Sequence, residues 1–212
     1  MKMSKRGHQR YEMIMKVALE LFLEKGYENT SLSDIIDKSG GSLASIYKFF
    51  NNKEGLFKAI VERGIDEFCN EIDEKIDLKL SHKLEDFLHK FASLFFDIVC
   101  DKKTTMIARI MLAEGSKNEG TVGKMFLDQI LNKIHKILVD FFNRKEIRAN
   151  LAGFIEPELA AALFCAIVRN PYHYNAVLLN SDIELSEQER QKHVQICVNL
   201  FLNGICKENN QG

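Results

Sequence analysis

The stretch from Thr30 to Leu56, which reads TSLSDIIDKSGGSLASIYKFFNNKEGL, carries the most informative local pattern in the chain. Within it, Ser31 is followed three residues later by Asp34, a pairing in which each side chain can cap a backbone N–H at the start of a helix. A run with two isoleucines follows directly. The pattern therefore predicts a short helix over residues 32–39.

Gly40 and Gly41 predict a tight turn after this helix, because glycine adopts left-handed backbone angles without steric cost. Ser42 is then placed to cap a second short helix over residues 43–49. Two short helices joined by a glycine-containing turn form a helix-turn-helix. In that motif the second helix enters the major groove of DNA and presents its first residues to the base edges.

The residue types along this motif divide into a core face and a DNA face. Ile35, Ile36, Ile46 and Phe50 are the predicted small core that holds the two helices together. Lys53 opens the next helix, whose free N–H groups and positive dipole end favour a phosphate. The predicted DNA-contacting residues are Ser31, Ser42, Leu43, Ser45, Tyr47, Lys48 and Lys53.

Helical periodicity continues along the rest of the chain. Apolar residues from Ile14 to Phe22 recur at three- and four-residue spacing, which predicts an amphipathic first helix that ends at Gly26. The same kind of pattern predicts further helices near residues 53–78, 84–100, 104–114, 121–144, 157–179 and 186–206. No strand-like alternation is evident. The sequence predicts an all-α protein of about nine helices.

Charge is distributed unevenly along the 212 residues, although the net charge is only −1. Residues 1–63 contain 11 basic and 8 acidic side chains, a balance of +3, whereas residues 64–212 contain 18 and 22, a balance of −4. The first ten residues carry four basic groups and no acidic one. This arm is interpreted either as a source of phosphate contacts or as a disordered, solubilising terminus.

The chain resembles the TetR family of bacterial transcriptional regulators. The resemblance covers residues 10–60 and rests on Lys25-Gly26-Tyr27, Thr30-Ser31, Asp34-Ile35, Gly40, Ser42, Ile46-Tyr47, Phe50 and Lys53-Glu54-x-Leu56. Within the family it is similar to the multidrug-efflux repressors of the CmeR type, through residues 31–36, 39–42, 53–57, 171–173 and 198–205. Two departures are that the family usually has an apolar residue at Gly41 and often a glycine at Ala44.

This resemblance implies a DNA-binding domain over residues 1–63 and a helical ligand-binding and dimerisation domain over residues 64–212. It implies a homodimeric repressor that binds a palindromic operator and is released by a small hydrophobic or amphipathic ligand. Control of a multidrug efflux pump is one assignment that it suggests. The long helix from Lys53 is the expected mechanical link between ligand and operator, with a coupling of about 1–3 kcal/mol.

Aromatic residues and one proline mark the expected ligand site. Phe87, Phe91, Phe95, Phe126 and Phe164 are interpreted as walls of a cavity, with ordinary core packing as the alternative. Pro171 interrupts an otherwise helical run and predicts a kink. Arg169 and His173 flank Pro171, and they are predicted to recognise the polar part of a ligand. The alternative is that Arg169 is a surface residue and that His173 makes a structural hydrogen bond near the kink or a subunit contact.

The last helix carries an apolar stripe that predicts either a dimer interface or intramolecular core. The stripe comprises Val194, Cys197, Leu200, Phe201 and Ile205, and the preceding helix contributes Leu159, Leu163 and Ile167. A dimer suits operator binding, because two recognition helices then read two half-sites of a palindrome.

Catalysis, metal binding and membrane insertion receive no support from the sequence. No nucleotide-binding, hydrolase or metalloprotease motif is present, and His82 and His89 do not make a metal site, so the sequence predicts no cofactor. The five cysteines are scattered, which favours a reducing cytoplasm. The rival interpretations are a global regulator or activator of the same fold without a drug-like inducer, and a small-molecule binding protein with a degenerate helix-turn-helix.

Overall fold

The computed structural model describes residues 4–76, 83–115, 121–149, 151, 153 and 155–205, and confirms the all-α prediction. The helices are α1 (Lys5–Lys25), α2 (Leu32–Ser39), α3 (Leu43–Phe50), α4 (Lys53–Lys75), α5 (Leu84–Cys100), α6 (Lys102–Glu114), α7 (Thr121–Gln129), α8 (Lys136–Phe142), α9 (Lys145–Arg148), α10 (Pro157–Arg169), α11 (Tyr172–Leu179) and α12 (Glu187–Ile205). A π-helical stretch, Ile130–His135, connects α7 to α8. Among these described residues, no helix is both long enough and apolar enough to cross a membrane.

The first helix begins earlier than its apolar pattern indicates. The Ser4 hydroxyl accepts a hydrogen bond from the Gly7 N–H at 3.1 Å, and this cap starts α1 at Lys5. Residues 5–10 of the basic arm are therefore helical, and a disordered terminus is wrong for them; residues 1–3 lie outside the described part. At the other end Gly26 terminates α1 as predicted, with φ at +84°.

Three of the predicted segments are shorter or more divided in the structure. The helix predicted over 53–78 ends at Lys75, and residues 77–82 lie outside the described part. The segment 121–144 is split by the π-helical stretch into α7 and α8. These divisions give more helices than the nine that the sequence indicates.

The helix predicted over 157–179 is broken at Pro171 rather than kinked. A proline crowds the backbone of the residue before it and disfavours helical angles there. Asn170 is accordingly extended, with φ −94° and ψ 154°, so that α10 ends at Arg169 and α11 begins at Tyr172.

The described chain forms two compact units. One unit comprises residues 1–64 and 106–127, and the other comprises residues 65–105 and 128–212. The first unit has a core of buried α1 side chains, Ile14, Val17, Ala18, Leu21 and Phe22, together with Ile35, Ile46, Phe50, Leu56 and Phe57. Ile36, which we expected in this core, is only half-buried.

The second unit is built around α5, which packs against both α10 and α12, while α8 also packs against α10. Its core is rich in phenylalanine. Phe87 and Phe141 stack with their ring centroids 3.7 Å apart, and Phe164 lies 4.7 Å from Phe201. Phe68 and Phe91 in the same core meet edge to face with their centroids 6.1 Å apart, an arrangement that stabilises beyond simple burial.

Candidate nucleic-acid interface and effector site

The α2–turn–α3 segment forms the helix-turn-helix that its sequence predicts. The Ser31 hydroxyl accepts from the Asp34 N–H at 3.1 Å, and the Asp34 carboxylate accepts from the Ser31 N–H at 2.8 Å, which completes the capping box. Hydrogen bonds from Ser31 and the nearby Lys25 ammonium lower the pKa of Asp34. The turn then passes through Gly40 and Gly41, which both have positive φ, at +75° and +91°.

The two faces of α3 separate core from surface. Ile46 and Phe50 are buried and attach the helix to the first unit. Leu43 is 40% exposed and Tyr47 is 57% exposed, and Lys48 is also exposed. In a helix-turn-helix the outward face of the second helix is the one that enters the major groove. This face of α3 is therefore the candidate DNA-reading surface.

Ser42 holds the cap position of α3 but does not cap it with its side chain. Its backbone is extended, as a cap requires, yet among the described residues its hydroxyl bonds no backbone N–H of α3. It lies instead 3.3 Å from the hydroxyl of Ser45. The predicted cap is wrong in this respect. Both hydroxyls lie near the start of α3, where Ser42 is exposed and Ser45 half-buried.

Lys53 at the start of α4 makes intramolecular contacts that the sequence did not indicate. Its ammonium donates to the carbonyls of Tyr27 at 2.9 Å and Thr30 at 3.2 Å, and it lies 4.3 Å from the centroid of the Tyr27 ring. An ammonium has three N–H donors, and these two carbonyls engage two of them. The cap of α4 comes from Asn52, whose side-chain oxygen accepts from the Gly55 N–H at 2.7 Å.

Sequence reasoning overlooked two further side chains of the first unit. Thr30 is fully buried, and its hydroxyl lies 2.8 Å from the Gly26 carbonyl at the end of α1. Arg10 was assigned to the basic arm, but its guanidinium donates to the Ser39 carbonyl at the end of α2. A threonine four residues after a helix-ending glycine is a pattern that can be recognised in the sequence, whereas nothing in the sequence connects Arg10 to Ser39.

The predicted ligand-site phenylalanines fall into two places. Phe87, Phe91, Phe95 and Phe164 are buried together in the core of the second unit. Phe126 belongs to the other unit and is half-buried. The first four pack against one another or against further rings; Phe91 and Phe95, for example, are stacked at 5.8 Å.

The break at Pro171 leaves carbonyl groups at the end of α10 without helical donors, and side chains of α12 supply replacements. The His193 Nε2–H donates to the Val168 carbonyl at 2.8 Å. The Cys197 thiol, 3.4 Å away, donates to the Ile167 carbonyl, which Pro171 deprives of a backbone donor. These contacts attach α12 to the end of α10.

His173 hydrogen-bonds a carbonyl group near the end of another helix, α5, in the same way. Its Nδ1 lies 2.6 Å from the Val99 carbonyl near the end of α5, and since a carbonyl only accepts, Nδ1 carries the proton. Burial lowers the pKa of His173, partly offset by this hydrogen bond, and the charge of Arg169 lowers it further. Arg169 itself is exposed and acts on His135 as well, whose pKa is lowered mainly by burial. The structure thus brings the predicted pair, Arg169 and His173, into one electrostatic neighbourhood.

A cavity of about 310 Å³ opens in the second unit, close to the lower limit for small-molecule sites. Its lining combines an aromatic ring, an aliphatic side chain, a thiol and both signs of charge. The lining residues are Cys69, Asp73, Lys133, Lys136, Ile137, Asp140, Phe141 and Arg144. The Arg144 guanidinium lies 4.6 Å from the centroid of the Phe141 ring, and Lys136 bonds Asp140 at 2.9 Å.

The cavity and the predicted phenylalanines meet at one residue. Phe141 lines the cavity and stacks on Phe87, so the cavity wall continues into the aromatic core. Cys69, half-buried in the cavity, has a pKa raised by burial and by Asp66. Burial raises the pKa of Cys100 and Cys165 to about 12 and that of Cys197 to about 11. These thiols are therefore protonated near neutral pH and weakly nucleophilic.

Two family descriptions match most of the chain. Residues 14–60 match "Bacterial regulatory proteins, tetR family", and residues 86–204 match "AefR-like transcriptional repressor, C-terminal domain". The chain belongs to the TetR family, and it is a transcriptional regulator with a helix-turn-helix. This confirms the family that the motif residues indicated.

Curated relatives show the same relationship. The chain is 46% identical over 52 residues to the HTH-type transcriptional repressor ComR of Escherichia coli, a match that covers 24% of this chain and 25% of that protein. It is 26% identical over 144 residues to IcaR of Staphylococcus epidermidis, a negative transcriptional regulator of the biofilm operon icaADBC, covering 68% of this chain and 75% of IcaR.

Solved structures show the fold. A TetR-family regulator from Mesorhizobium loti superposes with a TM-score of 0.81 at 21% identity, over 96% of this chain and 100% of that one. FadR of Bacillus subtilis in complex with stearoyl-CoA superposes with a TM-score of 0.69 at 20% identity, over 92% of this chain and 98% of FadR.

Proposed function

We propose that this regulator is a homodimeric repressor that binds a palindromic operator in the cytoplasm, with residues 1–63 as its DNA-binding domain. One observation carries the proposal: α3 is anchored by buried Ile46 and Phe50, while Leu43, Tyr47 and Lys48 project outward from it. A helix held in this way presents a fixed set of side chains to a major groove.

The contacts predicted at the DNA divide by role. Ser42, Leu43 and Ser45 at the start of α3 are proposed to reach base edges, and Lys48 is proposed to contact a phosphate and a base. Ser31 is exposed, but its hydroxyl and its backbone N–H both donate to the Asp34 carboxylate, so a contact with a phosphate would require the hydroxyl to turn away from Asp34. Tyr47 and Lys53 are proposed as phosphate contacts.

The apolar stripe of the last two long helices supports a dimer. Val194, Cys197 and Phe201 turn inward and are buried, so for these three residues the alternative of intramolecular core packing holds. The outer side of the stripe is different. Leu159, Leu163 and Leu200 of the stripe remain 46–65% exposed, and Ile196 on the same helix as Leu200 is 47% exposed as well. A second copy of the chain would cover this face across a two-fold axis. The side chain of Ile205 lies outside the described residues.

Residues 64–212 are proposed to bind the effector, a small hydrophobic or amphipathic molecule. The cavity has the mixed lining that such a molecule requires, and FadR, which shares the fold, holds stearoyl-CoA. We place the effector against Phe141 and extend the site toward Phe87, Phe91, Phe95 and Phe164. Phe126, Arg169 and His173 stay predicted contacts. Control of a multidrug efflux pump remains the proposed role in the cell.

The proposed coupling runs along α4. Cys69 and Asp73 line the cavity, and both lie on the helix whose first residue, Lys53, bonds the carbonyls between α1 and α2. A ligand that shifts α4 would therefore move the helix-turn-helix. Coupling of this kind is typically about 1–3 kcal/mol and is reciprocal, so operator DNA should weaken effector binding by the same factor.

DNA binding is tested by fluorescence anisotropy with DNA from upstream of the gene. Lys48→Ala should weaken binding and lower the slope of log affinity against log salt by about 0.9, the value for one phosphate contact. Lys58→Ala is the matched control, because Lys58 is exposed on α4 and paired with Glu62. If the wild-type chain binds upstream DNA no better than random DNA, the degenerate helix-turn-helix is the better interpretation.

Effector binding is tested by filling the cavity. Cys69→Phe should abolish release from the operator by small amphipathic compounds, stearoyl-CoA among them, while Asn70→Phe, one residue along and exposed, should not. Equal release in both variants would place the effector elsewhere. The combined Arg169→Ala and His173→Ala variant tests the polar pair, and an unchanged effector affinity would remove both residues from the site.

A further inference from the structure

The guanidinium of Arg10 occupies the space in which a side chain at position 41 would stand. A Cβ built on Gly41 would lie 2.7 Å from Nε of Arg10, and nearer still to its Nη2 and Cζ. All of these contacts are with one planar group. At Gly40 the corresponding Cβ would lie 3.6 Å from Nη1, an ordinary contact distance. The guanidinium therefore packs against the turn at Gly41 in particular.

Arg10 is held there by the end of α2. Its Nη1 donates to the Ser39 carbonyl at 2.8 Å, and Ser39 is the last residue of α2. The final carbonyls of a helix lack backbone donors and carry the negative end of the helix dipole, so they favour a cation. Arg10 thus joins α1 to the end of α2 across 29 residues of sequence.

Two further nitrogens of Arg10 face the protein and not the solvent. Nε and Nη2 are buried and have no hydrogen-bond partner in the part of the chain that the structure describes. A group that contacts a DNA phosphate needs its N–H donors exposed. Most of the guanidinium is consequently placed to shape the turn and is turned away from a phosphate.

We propose that Arg10 is the positioning residue of the recognition helix, because its guanidinium packs against the turn at Gly41, whose φ of +91° itself favours glycine. The guanidinium sets the path of the chain between Ser39 and Ser42, and thereby the orientation of α3 relative to α1 and α2. The inference rests on the proposed DNA-binding function and extends it to a residue outside the helix-turn-helix.

A double-mutant cycle tests the contact. Gly41→Ala should weaken operator binding at least tenfold, and Arg10→Ala should weaken it by a similar factor. Adding Arg10→Ala to Gly41→Ala should weaken binding little further, because the methyl group of the alanine already displaces the end of the flexible Arg10 side chain from this space. The strain of alanine at positive φ is present in both backgrounds and cancels in the cycle. Effects that simply multiply would overturn the proposal.

Salt dependence separates positioning from phosphate contact. Arg10→Ala should lower affinity for the operator while leaving the slope of log affinity against log salt, and the affinity for random DNA, unchanged. A slope lower by about 0.9 would identify Arg10 as a phosphate contact instead. Arg10→Lys should recover part of the operator affinity, because lysine can still reach the Ser39 carbonyl. Lys48→Ala supplies the positive control for a changed slope.

Hydrogen exchange makes the test independent of DNA. Arg10→Ala should accelerate amide exchange in residues 39–50 while α5 and α12 exchange as in the wild type. Unchanged exchange in α3 would refute the positioning role even if the protein binds its operator. If the wild-type protein shows no specific DNA binding but Arg10→Ala still accelerates exchange in α3, the positioning role of Arg10 stands and only the proposed DNA-binding function fails.

Discussion

Replacing Lys53 with alanine should lower the free energy of unfolding of the N-terminal unit by about 2–3 kcal/mol. The partly buried ammonium donates to two carbonyls, of Tyr27 and Thr30, and each such bond from a charged donor contributes about 1 kcal/mol in a partly solvated setting. The contact with the Tyr27 ring at 4.3 Å adds about 0.5–1 kcal/mol. Loss of all three contacts would detach the start of α4 from the segment between α1 and α2.

The assay is urea unfolding followed by far-ultraviolet circular dichroism, with native-state hydrogen exchange to locate the loss in α1–α4. Lys58→Ala is the control on the same helix, since its exposed pair with Glu62 is worth only about 0.3–0.5 kcal/mol. If Lys53→Ala costs no more than Lys58→Ala, the two carbonyl bonds do not stabilise the fold and the reasoning fails.

The same variant separates the two roles of Lys53. The third N–H donor is proposed to bind a phosphate, so Lys53→Ala should weaken specific and non-specific DNA binding alike and flatten the salt slope. Lys53→Gln should keep one carbonyl bond without the charge. An altered sequence preference with unchanged overall affinity would show that the phosphate assignment is misplaced.

Three further outcomes are expected. The pKa of Asp34 is lowered, chiefly by its hydrogen bond with the Ser31 hydroxyl. The Asp34 carboxylate therefore stabilises the fold above its unfolded pKa of about 3.8, and this contribution is lost as the pH falls through the lower folded pKa. Ser31→Ala should reduce this pH dependence in urea unfolding, and an unchanged pH profile would contradict the assignment. Phe164→Ala should cost about 3–5 kcal/mol in the same assay because the side chain is fully buried, and a loss below about 1 kcal/mol would indicate a loosely packed site. Leu200→Glu should convert the dimer to a monomer in sedimentation velocity with little change in protomer unfolding, since Leu200 is 65% exposed; a persistent dimer would exclude this face.

Local patterns predicted α1–α3 well because their ends are determined by neighbouring residues. Ser31 with Asp34, Gly26 and Gly40 each satisfy or terminate backbone hydrogen bonds within four residues, so their effect can be read from the sequence. The later helices were harder to delimit. The π-helical stretch from Ile130 has no comparable signal, and the full break at Pro171 required the extended backbone of Asn170.

The candidate sites were predicted unevenly for a related reason. The exposure of Leu43, Tyr47 and Lys48 follows from helical periodicity, because Ile46 and Phe50 must face the core. The cavity was not foreseen, since its residues come from α4, the π-helical stretch, α8 and the turn after α8, and its charged lining carries no sequence signal. His173 was predicted as a site residue because it lies close to Pro171 in the sequence. The Val99 carbonyl that it bonds is 74 residues away along the chain, and no local pattern indicates this contact.

The helical class, the helix-turn-helix and the family can be read from the sequence, because capping, glycine turns and apolar spacing act over a few residues. The hydrogen-bond partners of the polar groups cannot, because they depend on how the helices pack. Lys53 reaches carbonyls between α1 and α2, His193 and Cys197 complete the end of α10, and Arg10 fills the space above Gly41. Each of these contacts joins residues more than twenty positions apart, and their geometry is set by how the helices pack, which no local pattern encodes.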